Sequence, residues 1–97
     1  MAVIMSMEWP EITREQYLAI RNRLNWVENK PHGGRLHAAG WGEGGFRVVD
    51  IWESTEDFGR FVETKLQPTT HELGITSQPK VTIFPAEFLD LLQYRAL

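Results

Sequence analysis

The chain has 97 residues, a net charge of −3 and no cysteine. It therefore makes one domain that buries roughly 60–65% of its unfolded surface, with no disulfide, thiolate nucleophile or cysteine-bound metal. No basic run is present, which excludes nucleic acid and anionic membrane as main partners. No apolar run reaches the length of a bilayer span, and Ala2–Met7 is too short for a secretory signal and follows no basic residue, so a cytoplasmic location is expected.

Ala2–Glu8 reads as a short strand ended by Trp9-Pro10. Thr13 and Gln16, three residues on, form a capping box. Tyr17, Ile20, Leu24 and Val27 follow at helical spacing, and Asn29–Gly34 closes that helix. Arg35–Trp41 is predicted as a second strand, Gly42-Glu43-Gly44-Gly45 as a hairpin turn, and Phe46–Glu53 as the returning strand. Ser54 caps a second helix, with Glu56 and Asp57 in its first turn complementing the dipole. Its buried stripe is Phe58, Phe61, Val62 and Leu66, and Pro68 ends or kinks it. Thr69–Leu73 adds one further turn, stopped by Gly74. Lys80–Phe84 is the last strand, and Phe88, Leu91, Leu92 and Arg95 stand at helical spacing in a tail, 86–97, that is a candidate short helix.

The order β-α-β-β-α-β is the ferredoxin-like arrangement, an α+β fold with two helices on one face of a four-stranded antiparallel sheet. Within Phe46–Glu53, Val49 and Ile51 face one way while Phe46, Val48, Asp50 and Trp52 face the other. Both faces are largely apolar. The face bearing Phe46, Val48 and Trp52 is assigned to the open side of the sheet, and an open apolar face of that kind marks an interface or a ligand groove. Two sheets pairing face to face, in a homodimer with an internal pocket, are the expected solution.

The element order, together with His32-Gly33-Gly34-Arg35-Leu36-His37 leading into strand two and Arg47-Val48-Val49-Asp50-Ile51-Trp52-Glu53-Ser54 leading into Phe58 and Phe61, resembles the dimeric α/β-barrel superfamily. That superfamily includes antibiotic-biosynthesis monooxygenases and haem-degrading monooxygenases. The resemblance covers about residues 2–85, and the Trp-Glu-Ser junction is its most specific part. It implies a homodimer whose two sheets form a barrel, with a pocket between sheet and helices or inside the barrel. It leaves the chemistry open, because the fold hosts oxygenases, isomerases, haem binders and proteins with no known activity.

His37 and Asp50 are the candidate catalytic residues. His37 shares a strand face with Arg35, Ala39 and Trp41. Asp50 lies mid-strand among aromatics, where a carboxylate must be paired or hold a raised pKa; His37 and Arg35 are its two candidate partners. A carboxylate–imidazole pair in an aromatic pocket does acid–base work, and the same pair also occurs as a structural ion pair. Trp41, Trp52, Phe46 and Arg35 are the expected substrate contacts, Trp26 joining Trp41 and Trp52 as suitable pocket walls. Tyr17, Phe58, Phe61 and Phe84 are assigned to the core.

Other motifs carry less. Gly40-Trp-Gly-Glu-Gly-Gly45 matches G-x-G-x-x-G, but a strand follows it where the dinucleotide motif needs a helix. His32, His37 and His71 have no metal-ligand spacing, so no metal is expected. The resemblance to the haem-degrading branch puts His71 at about the haem-ligand position, with Phe61 where that branch has a second Trp and Ser6 where it has Asn. Three functions follow from these residues. The leading one is a pocket for a hydrophobic or aromatic small molecule, for which the resemblance to the antibiotic-biosynthesis branch implies a cofactor-independent monooxygenase acting on an aromatic or polyketide-like substrate. The others are a non-catalytic ligand-binding or oligomerisation module, and a haem-binding protein using His71.

Overall fold

The computed structural model describes residues 1–92. Strand β1 (Val3–Trp9) leads into helix α1 (Arg14–Leu24), whose capping box forms as the sequence requires. The Thr13 hydroxyl accepts from the Gln16 amide at 3.1 Å and the Gln16 side chain accepts from the Thr13 amide at 3.0 Å. The helix stops at Leu24, short of Val27, because Asn25 turns to φ 46 and its amide closes on the Arg21 carbonyl at 2.8 Å. Val27 is thereby left exposed.

Strands β2 (Gly34–Gly42) and β3 (Gly45–Trp52) form the hairpin, with Gly42 opposite Gly45 and positive φ at Gly44 and Gly45. Ser54 caps α2 (Thr55–Phe61) by accepting from the Asp57 amide at 3.0 Å. Pro68 does not end the helix. A widened π-helical turn, Val62–Leu66, runs directly into α3 (Gln67–Glu72) and relieves the clash that the Pro68 ring would make with the carbonyl four residues before it. Strand β4 (Lys80–Pro85) completes an antiparallel sheet in the order β2-β3-β1-β4. The result is the α+β, ferredoxin-like fold. The tail forms no helix over residues 86–92, where Phe88, Leu91 and Leu92 stay exposed; Arg95 lies outside the described residues.

The helices cover the face opposite to the one assigned from sequence. Phe46, Val48, Asp50 and Trp52 of β3, with Met5, Met7 and Trp9 of β1, are buried under α1 and α2, where Tyr17 packs 4.7 Å from Phe46 and Phe58 packs 5.5 Å from Trp52. The physical reason is reach: large aromatic side chains are needed to fill the space between a sheet and its helices, while smaller residues serve the other face. The open face carries Ile4, Leu36, Ala38, Val49, Ile51 and Phe84 by register, with Leu36, Val49 and Phe84 all more than two-fifths exposed. It is therefore apolar as well, and an apolar open face remains.

One glycine fixes how the hairpin enters the domain. Gly33 has φ 81, and a Cβ there would lie 2.4 Å from an Asp57 carboxylate oxygen at the start of α2. Its carbonyl accepts from the Glu53 amide at 2.8 Å. This close approach holds the base of β2 against the strand-to-helix junction.

Candidate functional site

Hairpin register makes the site. The two-residue Glu43–Gly44 loop pairs β2 and β3 so that His37 stands directly opposite Asp50, both pointing to the helix-covered face. His37 Nδ1 lies 2.7 Å from one Asp50 oxygen, and the Trp52 indole N–H donates to the other at 3.0 Å. An ionised carboxylate only accepts, so Nδ1 carries the proton. The second ring nitrogen, Nε2, lies 2.8 Å from the Tyr17 hydroxyl of α1. With a neutral imidazole, Tyr17 donates to His37 and His37 donates to Asp50. The chain Tyr17–His37–Asp50–Trp52 thus ties α1 to both strands of the hairpin, and among the described residues no buried side-chain polar atom lacks a partner.

This chain forms part of the wall of a cavity of about 660 Å³ between the sheet and the helices, a size that suits a small organic ligand. Its deep wall is apolar and aromatic, with Met5, Phe46, Trp52, Phe58 and Phe61 contributing. Val27, Lys30 and Arg35 are among its exposed lining residues, with Gly34, Leu36 and His37 of β2, and these mark the mouth. His37, with its side chain 27% exposed against 9% for Asp50, is the member of the pair nearer to solvent.

The structure brings together most of the residues singled out from sequence. His37, Asp50, Trp52, Phe46, Arg35 and Trp26 all line the cavity. Arg35, at the irregularity between Gly34 and Leu36, turns to Glu53 at 3.7 Å and leaves Asp50 to His37. Trp41 does not line the cavity. It packs edge-on to Tyr17, 4.6 Å from Phe46, beneath the Arg14 guanidinium at 4.5 Å. His71 is exposed in the last turn of α3 and lies outside the cavity lining, so its donor nitrogen does not fit a haem held there. Among the described residues no three His, Asp or Glu side chains gather to hold a metal, and no helix is long and apolar enough to cross a membrane. Sequence reasoning missed Tyr17 and Arg21, both on the cavity wall. The signal for Tyr17 was its hydroxyl, since a tyrosine in a core stripe needs a polar partner for its O–H.

No family model and no curated protein matches the chain. Solved structures do. SnoaB, a cofactor-independent oxygenase from Streptomyces nogalater, superposes with a TM-score of 0.60 at 12% identity, over 91% of this chain and 93% of its own. A Deinococcus radiodurans protein provisionally assigned as an antibiotic biosynthesis monooxygenase gives 0.59 at 13% identity, over 96% and 100%. A dimeric ferredoxin-like protein of unknown function from Thermobifida fusca gives 0.60 at 13% identity, over 89% and 92%. The chain has the fold of these proteins. At identities this low the likeness establishes the fold alone.

Tyr17 is itself buried. Burial pushes its hydroxyl above the ordinary value of 10.0, the neighbouring Arg21 guanidinium acts against that rise, and the Asp50 charge adds to it. As pH passes 10 the unfolded chain loses this proton while the folded chain keeps it, so rising pH favours unfolding. The contribution is fully present below the unfolded value and is lost as pH rises through the folded one. Urea denaturation between about pH 9 and about pH 11 is expected to show the parent losing stability more steeply than Tyr17→Phe. Equal slopes would show that the hydroxyl is not desolvated.

Proposed function

We propose that the chain is a homodimeric, cofactor-independent monooxygenase whose cavity binds an aromatic or polyketide-like substrate. The observation that carries this reading is the Tyr17–His37–Asp50 hydrogen-bond chain in the wall of an aromatic cavity. It has the logic of a nucleophile–histidine–carboxylate triad, with a phenol in the first place. The oxygenase among the structural neighbours supports the same direction.

The substrate's acidic C–H or O–H proton passes to the Tyr17 oxygen as the Tyr17 proton moves to His37 Nε2. Asp50 stabilises the imidazolium that forms and holds the ring in register. The substrate carbanion gives one electron to molecular oxygen, the resulting radical and superoxide combine to a peroxide anion, and that anion takes back the proton held on His37 by way of Tyr17, which restores the neutral pair. Loss of water from a peroxide on a CH carbon leaves a ketone, so the overall change is CH₂ plus O₂ to C=O plus H₂O. The protein's part is to bind, deprotonate and shield the substrate in an apolar cavity. A cytoplasmic location accords with this reading.

A second copy covers the open sheet face. Leu36, Val49 and Phe84 on that face, and Phe88, Leu91 and Leu92 in the tail, are apolar side chains left exposed in one copy. The dimeric neighbour supports such pairing. Sedimentation is expected to give a dimer for the parent and a folded monomer for Val49→Asp, which sets two carboxylates into the interface. A monomeric parent would remove the dimer from the account.

The catalytic reading is tested with an anthrone and dissolved oxygen, following quinone absorbance and oxygen uptake. His37→Ala is expected to lower turnover by about 100-fold or more, with a circular dichroism spectrum still that of the folded domain at about 25 °C and a lowered melting temperature from the lost Asp50 partner. Turnover equal to the parent's would sink the assignment. A parent that binds anthrones tightly yet never consumes oxygen would instead be a ligand-binding module.

A further inference from the structure

The charges around the cavity do not follow the charge of the chain. The whole protein carries −3, yet the described residues that line the cavity include three cationic side chains, Arg21, Lys30 and Arg35, and one carboxylate, Asp50. That carboxylate is already committed, one oxygen to His37 and the other to Trp52. Arg35 is balanced by Glu53. Among the described residues, neither Arg21 nor Lys30 forms an ion pair, although the chain has 13 Asp and Glu.

Arg21 is positioned as well as unpaired. It sits one helical turn beyond Tyr17 on α1, so both side chains come off the same helix face. Its guanidinium lies over the Trp26 ring at 5.5 Å from the centroid, and Trp26 in turn stands edge-on to His37 at 4.9 Å. The Tyr17 hydroxyl lies within reach of the same guanidinium, and the indole beneath it restrains it while leaving the remaining N–H groups of the fork open to an oxyanion. The fork therefore waits at the polar end of an otherwise aromatic cavity.

We propose that the ligand is a flat aromatic carboxylate, its ring system in the aromatic part of the cavity and its carboxylate on Arg21, with Lys30 adding long-range attraction at the mouth. Arg21 is thus a specificity-determining residue that separates acids from neutral analogues. A guanidinium–carboxylate contact in an apolar cavity is short and bidentate, and stronger than a neutral hydrogen bond. A cationic ligand would face Arg21 and Lys30 with no free carboxylate to meet it. This inference rests on the cavity being a small-molecule site.

The test uses anthracene-9-carboxylate and the neutral anthracene-9-carboxamide, with binding read by tryptophan fluorescence and calorimetry on the full chain. The parent is expected to bind the acid about tenfold more tightly than the amide. Arg21→Met, which keeps the apolar stem over Trp26, is expected to erase that preference by weakening the acid far more than the amide. Arg21→Lys is expected to restore part of it, and Lys30→Met to weaken the acid by a smaller factor. Equal binding of acid and amide by the parent overturns the anion proposal and leaves the small-molecule cavity standing. A preference that survives in Arg21→Met also overturns it. Binding of neither compound overturns both.

Discussion

Asp50 is the constraint on which the rest depends. A carboxylate among Phe46, Val48 and Trp52 under two helices needs donors on both oxygens, because leaving it bare costs several kcal/mol, on the order of 3–5 when one partner is removed. The fold supplies them from its own hairpin. His37 comes from the paired strand and Trp52 from two residues further along the same strand, on the same face. Meeting Asp50's requirement fixes the imidazole's orientation and its Nδ1 proton. The free nitrogen is then aimed at α1, where it accepts from the Tyr17 hydroxyl. Meeting a structural requirement thus also builds a hydrogen-bond chain that reaches the cavity wall.

That arrangement also explains why the cavity is built where it is. The helix-covered side of the sheet holds the large aromatics, and the polar chain runs from α1 to edge strand β2 and on to its inner neighbour β3. Edge strand β2 is exposed along its whole length, so the pair sits where a ligand can reach it. Met5, Phe46 and Trp52 close the other side. The apolar bulk gives dryness, and the edge gives access.

Much of this was legible in the residues. The Thr13–Gln16 box, the Ser54 cap and the Gly-rich turn follow from local chemistry that tertiary packing does not override, and all three form. The His37–Asp50 pairing was also within reach, since a two-residue turn at Glu43–Gly44 matches each step back along β2 with one forward along β3. Other features are set by packing and have no one-dimensional signature. Phe46 and Val49 are both apolar, so alternation along β3 cannot say which face lies under the helices. Asn25 ends α1 by a backbone choice that the Tyr17-to-Val27 spacing does not contain. Trp41 looked like a pocket wall from its strand face, but its ring is held by Phe46 and Arg14 instead. Tyr17 was hidden among core aromatics, and its hydroxyl was the one clue.

The central claim is that Asp50 holds His37 with its proton on Nδ1 and leaves Nε2 to accept from Tyr17. Long-range ¹H–¹⁵N NMR of the imidazole nitrogens tests this directly, with exposed His32 and His71 as internal references. The account predicts a protonated Nδ1 and an unprotonated Nε2 for neutral His37, with Asp50→Asn disturbing that pattern. A neutral His37 whose proton sits on Nε2 would contradict the account, because that tautomer has nothing to give Asp50 and no lone pair for Tyr17.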